Sequence, residues 1–487
     1  MYSQEEILKK TSILIDKKNN HEAKSILLEF IKNSKNVKID ARVYYLLYLS
    51  ADNLKEFKSA KKYLEKCLKI NRNNHIALNN LANIYFREQD FLKAEKFYLK
   101  SIENKNDYFI AIANIAIFYQ NLGKFEEAKK FYLKAINLSP KQISIYYNLS
   151  RIDKNFMNET RKKYLIELMS NEKIELSNMA YGFFLLAEYE RKDNSYVKEI
   201  EYLKKAHEYT FREKLKKNEH TLNYWQNIIP NQYNKFSFIN KIKKNELSNL
   251  EPIFIIGLPR SGSTIVEAIL SSGETVVESL GETNIFNGVI VTTHNELKKK
   301  ENSKIDLELI TKSVLSSMKD KNFLKKDTKI FIDKSLENFF YIEIILKIFP
   351  KAKFINTFRN IEDNIFAIFQ QSLTKLSWTH TIENILKYID NYLKIIRYFI
   401  KKYPNKILSL DLEELTNKPE EISKKLYSFC NLEWSEKALN FYNRKDLLVS
   451  TASNIQIRKK VNSYDREKYK PYKHILKKFI DKYGWIN

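Results

Sequence analysis

The sequence predicts a chain of two fold classes, an all-helical solenoid followed by an α/β domain with a central parallel sheet. A 34-residue period runs through the N-terminal part, which is typical of stacked helical repeats. A short apolar run at 252–256 leads into a glycine-flanked loop and a helix, the order expected in a parallel sheet. Glycine is scarce, with 8 among 487 residues, so most of the chain must form helices and short loops. We place the solenoid at 1–212, a connecting segment at 213–250 and the α/β domain at 251–487.

Composition excludes several classes of protein. The chain has 84 Lys and Arg against 59 Asp and Glu, a net charge of +25, and 44% hydrophobic residues, which is typical of a globular protein. Its 2 cysteines, Cys67 and Cys430, lie among apolar residues. This excludes a disulfide scaffold and a cysteine-ligated metal centre.

The distribution of apolar and basic residues bears on location and partners. There is no run of about 18 apolar residues, so we expect no membrane span. Residues 1–6 show no basic stretch followed by an apolar one, so we expect no secretory signal and a cytoplasmic protein. The basic charge could attract an anionic ligand. Because zinc-finger spacing and aromatic RNA-binding signatures are absent from the sequence, we expect no nucleic-acid partner.

The helical repeats are read from three windows of equal length. These windows are Ala41–Asn74, His75–Tyr108 and Phe109–Gln142. Ala60, Ala94 and Ala128 occupy the same column, and small residues there allow two helices to approach closely. The period and its columns resemble the tetratricopeptide repeat (TPR). This resemblance implies a surface for a peptide or protein partner, while a role as a scaffold for the neighbouring domain stays open.

The glycine-flanked loop is the strongest functional signal in the sequence. Strand, loop and helix in this order aim backbone N–H groups and a helix N-terminus at an anion. Gly257 and Gly262 have the spacing of a nucleotide P-loop, but Ser263 stands where the phosphate-binding lysine would follow. Arg260 provides a cation inside the loop instead. The run 330–333 could imitate a magnesium-binding strand, so a P-loop kinase or NTPase remains an alternative.

The loop also carries a family resemblance. Gly257–Thr264 resembles the 5′-phosphosulfate loop of sulfotransferases that use 3′-phosphoadenosine 5′-phosphosulfate (PAPS). Further blocks follow in the order of that family, namely Gly281–Thr283, Ile332–Phe339, Phe349–Asn360 and Ser450–Arg458. The chain is therefore identified as similar to bacterial TPR-linked sulfotransferases, which are related to protein-tyrosine sulfotransferases. The resemblance implies a P-loop-like α/β sulfotransferase domain, with PAPS as co-substrate and no metal.

The resemblance implies a role for individual residues at the reacting group. Arg260 and the backbone N–H groups of the loop would hold the phosphosulfate and stabilise its leaving phosphate. The loop residues in question are Ser261, Gly262, Ser263 and Thr264. Glu282 matches the general base, and Lys334 matches the lysine that stabilises the bridging oxygen. His294 is the local alternative to Glu282 as the base.

The nucleotide end of the donor is assigned in the same way. Arg359 follows an apolar strand and would grip the 3′-phosphate, which an arginine can do bidentately. The family usually places a serine eight residues later, but this chain has Ala367 there; Asn364 could compensate. In the C-terminal block, Ser453 would contact the phosphosulfate and Arg458 would help to close over the nucleotide.

Together these observations predict transfer of a sulfuryl group from PAPS to a hydroxyl or phenol. The acceptor could be a peptide or protein held by the TPR surface, and a glycan or small metabolite also stays open. A second alternative is a non-catalytic TPR adaptor whose sulfotransferase domain has decayed. Ala367 is the only visible sign of such decay, since Arg260, Glu282, Lys334 and Arg359 all persist.

Overall fold

A computed structural model describes most of the chain, in two compact units. The described residues are 3–34, 38–171, 173–235, 238–239, 246–275, 277–297, 305–320, 328–444, 456–461 and 464–486. The units are Met1–Pro140 and Lys141–Asn487. Among the described residues, no helix has both the length and the apolar character needed to cross a membrane.

The first unit is built from helical pairs. Its described helices are α1 (Gln4–Asp16), α2 (Asn20–Asn33), α3 (Ala41–Asn53), α4 (Phe57–Ile70), α5 (His75–Arg87), α6 (Phe91–Asn104), α7 (Phe109–Leu122) and α8 (Phe125–Leu138). Each odd-numbered helix packs on the helix that follows it. Ala60, Ala94 and Ala128 are fully buried at these contacts, as the column of small residues predicted. The helical solenoid is therefore confirmed.

The repeat is visible in its aromatic contacts. The rings of Tyr85 and Phe97 stack with centroids 5.4 Å apart. One period later, the rings of Tyr119 and Phe131 stack at 5.7 Å. Equivalent residues thus make equivalent contacts, because each repeat packs through the same columns of small and aromatic side chains.

The second unit mixes helices and strands. Its described α-helices are α9 (Ile143–Ile152), α10 (Glu159–Asn171), α11 (Leu176–Lys192), α12 (Tyr196–Glu213), α13 (Leu215–Asn223), α14 (Ser263–Leu270), α15 (Ile285–Leu297), α16 (Leu307–Asp320), α17 (Ile342–Ile348), α18 (Ile361–Phe369), α19 (Ile382–Lys402), α20 (Leu412–Asn417) and α21 (Pro419–Cys430). A π-helical turn spans Tyr224–Ile228, and 3-10 segments span Ile229–Asn231, Glu246–Asn249, Leu336–Tyr341, Ser377–Thr379, Glu436–Asn443, Gln456–Arg458 and Lys470–Phe479. Helices α9 to α12 lie in this unit, although the sequence-based boundary at 212 stays a prediction.

The strands of the second unit form the predicted parallel sheet. They are β1 (Phe238–Ile239), β2 (Ile253–Gly257), β3 (Glu278–Ser279), β4 (Ile305–Asp306), β5 (Phe331–Asp333), β6 (Lys353–Phe358) and β7 (Ile407–Asp411). In the described residues the main sheet has the order β3-β5-β2-β6-β7, with every pairing parallel, and β1 pairs with β4 separately. Every residue of the central strand β2 is buried.

Parallel pairing brings the carboxyl ends of the strands to one edge of the sheet. The register of β2 and β6 runs from Ile253 opposite Lys353 to Gly257 opposite Thr357. Isoleucine side chains of these two strands share one buried core with side chains of α14 and α21. The loops that follow β2, β3, β5 and β6 therefore lie side by side on a rigid base.

Candidate functional site

The loop between β2 and α14 has a backbone that only certain residues tolerate. Gly257 has φ +137°, and a Cβ there would lie 2.3 Å from the carbonyl oxygen of Thr357. Gly262, which precedes α14, has φ +91°. Arg260 also lies in the left-handed region, with φ +68°. A non-glycine residue held in this region costs of order 1–3 kcal/mol, so the surrounding contacts must fix the loop.

Side chains on β6 and α18 provide those contacts. The Ser261 hydroxyl donates to the carbonyl of Leu258 at 2.7 Å and lies 2.8 Å from Oγ1 of Thr357. Asn364 Nδ2 donates to the carbonyl of Pro259 at 2.8 Å. The loop is therefore tied to the neighbouring strand and to the helix after it.

The start of α14 completes the loop. Ser263 is the first residue of the helix, and both Ser263 and Thr264 are buried. A helix N-terminus directs backbone N–H groups and the positive end of the helix dipole outward. The loop residues that were predicted to bind an anion therefore surround a place that favours negative charge.

Arg260 and Arg359 lie beside each other at this loop. Arg359 follows β6, and its Nη1 lies 3.4 Å from the carbonyl oxygen of Arg260. Burial lowers the pKa of Arg260 to about 10, and the positive charges of Arg151 and Arg359 act in the same direction. Arg260 thus stays protonated at neutral pH, and a bound anion would stabilise its charged guanidinium.

Aromatic residues from the C-terminal part hold Arg359. Its Nη2 donates to the hydroxyl of Tyr464 at 2.7 Å, and its guanidinium lies 4.7 Å from the centroid of that ring. The ring of Tyr469 lies 5.3 Å away, and the Asp363 carboxylate is 4.0 Å from Nη2. Sequence reasoning found Arg359 but missed Tyr464, because the two are 105 residues apart in the chain.

Helix α18, which follows Arg359, contains Ala367 at the position where the sulfotransferase family usually has a serine. Ala367 is buried in α18, with 3% of its surface exposed. Asn364 is also buried, and its amide holds Pro259. Its predicted role as a replacement phosphate contact remains a prediction, whereas its contact with the loop backbone is present in this structure.

Lys334 lies between two carboxylates at the edge of the sheet. Its Nζ donates to Oε1 of Glu282 at 3.0 Å and lies 3.6 Å from Oε2 of Glu267. Only 2% of Lys334 is exposed. Burial alone would lower the pKa of Lys334, but the charges of Glu267 and Glu282 outweigh it and raise that pKa. The buried amine is therefore a stable cation at neutral pH.

Backbone pairing brings Lys334 and Glu282 together. The N–H of Leu280 donates to the carbonyl of Ile332, and the N–H of Lys334 donates to the carbonyl of Gly281. These bonds extend the pairing of β3 with β5, so that Glu282 comes beside Lys334. The side chain of Glu282 is 53% exposed, which leaves its carboxylate accessible from solvent.

Two further carboxyl groups near Lys334 were not identified from the sequence. Glu267 lies on α14, one turn after Ser263, and a helical projection of that segment could have placed it toward the loop side. Glu337 is half-buried, and burial together with the charges of Glu282 and Asp333 raises its pKa to about 7. Both groups lie near Lys334, a residue for which the sequence analysis predicted no carboxylate partner.

The remaining predicted residues are less fully described. Ser453 lies outside the described residues, and so does the side chain of His294. Arg458 is half-buried in the 3-10 segment Gln456–Arg458, and burial lowers its pKa. Within the described ranges, no group of three or more His, Cys, Asp or Glu side chains is placed to hold a metal ion.

Known families match both parts of the chain. Residues 252–436 match the sulfotransferase family, and residues 41–74, 76–108 and 111–142 match the tetratricopeptide repeat. An uncharacterised protein of Aquifex aeolicus is 28% identical over 333 residues, which is 64% of this chain. This chain spans only 42% of the length of that relative. A protein of Caenorhabditis briggsae, named a candidate protein-tyrosine sulfotransferase, is 23% identical over 228 residues, or 45% of this chain and 80% of that protein.

Solved structures of sulfotransferases are similar at low identity. The sulfotransferase domain of the Synechococcus olefin synthase is 17% identical with a TM-score of 0.31, covering 46% of this chain and 88% of that domain. The sulfotransferase STF1 of Mycobacterium tuberculosis is 11% identical with a TM-score of 0.29, covering 62% of this chain and 98% of that protein. The chain therefore combines a segment similar to tetratricopeptide repeats with a segment similar to the sulfotransferase family.

Proposed function

We propose that the chain transfers a sulfuryl group from PAPS to a hydroxyl or phenol acceptor. The observation that carries this proposal is the position of Lys334 between Glu267 and Glu282, at the carboxyl edge of the sheet beside the glycine-flanked loop. A buried cation and an accessible carboxylate in contact are the two groups that such a transfer needs: one for the leaving oxygen, one for the acceptor proton.

In this proposal the loop and Arg359 bind the two ends of PAPS. Arg260 and the backbone N–H groups of residues 261–264 hold the phosphosulfate, as a helix N-terminus and a fixed guanidinium favour. Arg359 holds the 3′-phosphate, and its contact with Tyr464 orients the guanidinium for that role. Ser453 and Arg458 are proposed to close this site from the C-terminal segment.

Glu282 and Lys334 act on the reacting atoms. Glu282 accepts the proton of the acceptor hydroxyl while a new bond forms between the acceptor oxygen and sulfur. The bond between sulfur and the bridging oxygen breaks, and Lys334 donates a hydrogen bond to that oxygen as it gains charge. For this, Lys334 Nζ first exchanges its hydrogen bond to Glu282 for one to the bridging oxygen, which frees Glu282 to act as the base, while Glu267 stays beside the amine.

The acceptor is proposed to be a peptide or protein. The support is the presence of TPR units, which are helical-repeat surfaces suited to extended partners. Incubation of the full chain with radiolabelled PAPS and fractionated lysate tests this directly, since the labelled species identifies the acceptor. Label confined to glycan or small-molecule fractions would refute the peptide assignment.

Two variants test the site assignments. Arg260→Ala should abolish binding of adenosine 3′,5′-bisphosphate in calorimetry, because it removes the cation of the loop. Glu282→Gln should keep binding but lose transfer by about 10²–10⁴-fold, the usual contribution of a general base. Glu274→Gln is the matched control, because Glu274 is 56% exposed and pairs with Lys437 at the surface.

The outcomes separate the competing functions. Activity like that of the wild type in Glu282→Gln would remove the base assignment. Binding of Mg-ATP without binding of the bisphosphate would indicate an NTPase or kinase. Binding of PAPS with no labelled acceptor in any fraction would indicate an adaptor protein.

A further inference from the structure

The turn that carries Glu282 is held by the residues that follow β5. Gly281 and Asn284 lie at the two ends of this turn with φ of +66° and +51°, and residues in the left-handed region are typical of tight turns. The N–H of Lys334 donates to the carbonyl of Gly281 at 2.9 Å, and the N–H of Asn284 donates to Oγ of Ser335 at 2.9 Å. Both ends of the turn are therefore fixed, whereas the side chain of Glu282 between them is 53% exposed.

A buried carboxylate holds the middle of the same turn. The hydroxyl of Thr283 donates to Oδ2 of Asp333 at 2.6 Å, and Oδ1 of Asp333 accepts from the N–H of Ser335 at 2.8 Å. Only 3% of Asp333 and 6% of Thr283 are exposed. Asp333 is the last residue of β5, and a hydrogen bond to an ionised carboxylate is stronger than one between neutral groups. Thr283, the neighbour of Glu282, is therefore tied directly to the sheet.

The ion pair between Lys334 and Glu282 cannot hold Glu282 throughout the proposed reaction. Lys334 Nζ lies 3.0 Å from Oε1 of Glu282, and it exchanges this bond for one to the bridging oxygen. Glu282 loses that contact at the moment when its carboxylate has to be aligned with the acceptor proton. The bond between Thr283 and Asp333 takes no part in the exchange, so it persists while the ion pair is broken.

We propose that Thr283 and Asp333 are positioning residues, which keep Glu282 aligned with the acceptor proton after Lys334 has turned to the bridging oxygen. This inference rests on the proposed function, because it requires Glu282 to be the base. Neither residue contacts the reacting atoms, and both act through Glu282. Loss of their hydrogen bond should therefore slow transfer and leave donor binding unchanged.

The test compares variants of Thr283 in the full chain, with radiolabelled PAPS and the lysate fraction that the wild-type chain labels. Thr283→Val keeps nearly the same shape but removes the hydroxyl. We expect its rate at saturating PAPS to fall by up to about 10²-fold, the cost of misplacing a reacting group by about 1 Å. Its affinity for adenosine 3′,5′-bisphosphate should not change in calorimetry. Thr283→Ser keeps the hydroxyl and should keep most of the rate. Thr292→Val is the control, because Thr292 is exposed on α15 and donates to the carbonyl of Gly288 in the same helix.

A double variant separates positioning from a general structural role. Residues that act as a unit have effects that do not add. Once Glu282→Gln has removed the base, Thr283→Val should therefore cause no further loss of rate. If Thr283→Val slows the Glu282→Gln background by the same factor as the wild type, Thr283 does not act through Glu282 and the inference is wrong.

The outcomes are distinguishable from those of the proposed function. If the wild-type chain labels no fraction, the proposed function fails and this inference falls with it. If the wild type transfers label and folded Thr283→Val is equally fast, only this inference is overturned. Thermal unfolding identifies which variants are folded. If Thr283→Val is not, Asp333→Asn carries the test: it keeps one of the two acceptor oxygens, so a smaller loss is expected, and that loss should again be absent in the Glu282→Gln background.

Discussion

Removal of the Glu199 carboxylate should destabilise the second unit strongly. Glu199 lies on α12 and is fully buried. Its Oε1 accepts from Nε of Arg191 at 2.7 Å and from Nε2 of Gln370 at 3.0 Å, and its Oε2 accepts from the hydroxyl of Tyr472 at 2.6 Å. One carboxylate thus joins α11 and α12 to the end of α18 and to the C-terminal segment.

The magnitude follows from what Glu199→Ala leaves behind. Breaking a buried ion pair by removal of one partner costs about 3–5 kcal/mol, because the remaining charge is uncompensated. The side chain of Arg191 is 29% exposed, so water can relieve part of that cost. The amide of Gln370 and the hydroxyl of Tyr472 also lose their acceptor, at about 1 kcal/mol or more each. We therefore expect a loss of about 4 kcal/mol in the free energy of unfolding.

Urea unfolding followed by circular dichroism and tyrosine fluorescence measures this loss. Glu208→Ala is the matched control, because it makes the same substitution on α12 at a side chain that is 61% exposed and pairs with Arg212 at the surface. The control should change stability by about 0.5 kcal/mol or less. If Glu199→Ala lies within 1 kcal/mol of the control, burial and pairing at Glu199 do not stabilise the unit as argued.

Two further predictions concern stability. Nδ1 of His207 and Nδ1 of His380 lie 3.1 Å apart, and burial lowers the pKa of His207 to about 3 and that of His380 to about 4. Both are neutral when folded but titrate near 6.5 when unfolded, so stability should fall below pH 6.5 by about 1.4 kcal/mol per pH unit for each histidine. His380→Asn should flatten urea midpoints measured from pH 7.5 to 5, and a flat wild-type profile would contradict the argument. Gly257→Ala should destabilise by more than 2 kcal/mol, since the new Cβ meets a backbone oxygen. Gly288→Ala, at an open position in α15, should stabilise by about 0.5–1 kcal/mol, and equal thermal midpoints for the two variants would refute the distinction.

The parts of the fold that the sequence predicts are those that local contacts encode. Alanine recurs at positions 60, 94 and 128 because each helical pair buries the same position of the repeat. The 34-residue period can therefore be recognised from the sequence alone. The loop can be predicted for a similar reason, because its strand, its glycines and its helix follow one another in the sequence. Gly257 was expected to need a backbone conformation that other residues disfavour, and its φ of +137° agrees, whereas the positive φ of Arg260 was not predicted.

Contacts between residues that are far apart in the sequence are harder to predict. Lys334 and Glu282 were assigned through the resemblance, and parallel pairing of β3 with β5 is what brings them within 3.0 Å. Tyr464 is separated from Arg359 by 105 residues, and nothing in the spacing links them. A hydroxyl that orients an arginine has no sequence signature of its own, because any tyrosine that reaches the site can serve.

The net charge of the chain also fails to locate a binding site. A net charge of +25 spread over every segment says little about where an anion binds. Arg260 and Arg359 become informative only when the loop and β6 are placed together, because Nη1 of Arg359 then lies 3.4 Å from the carbonyl oxygen of Arg260. Glu267 is informative for the same reason: the sequence shows it only as one residue of a helix, but its carboxylate lies 3.6 Å from the buried amine of Lys334 and helps to keep that amine charged.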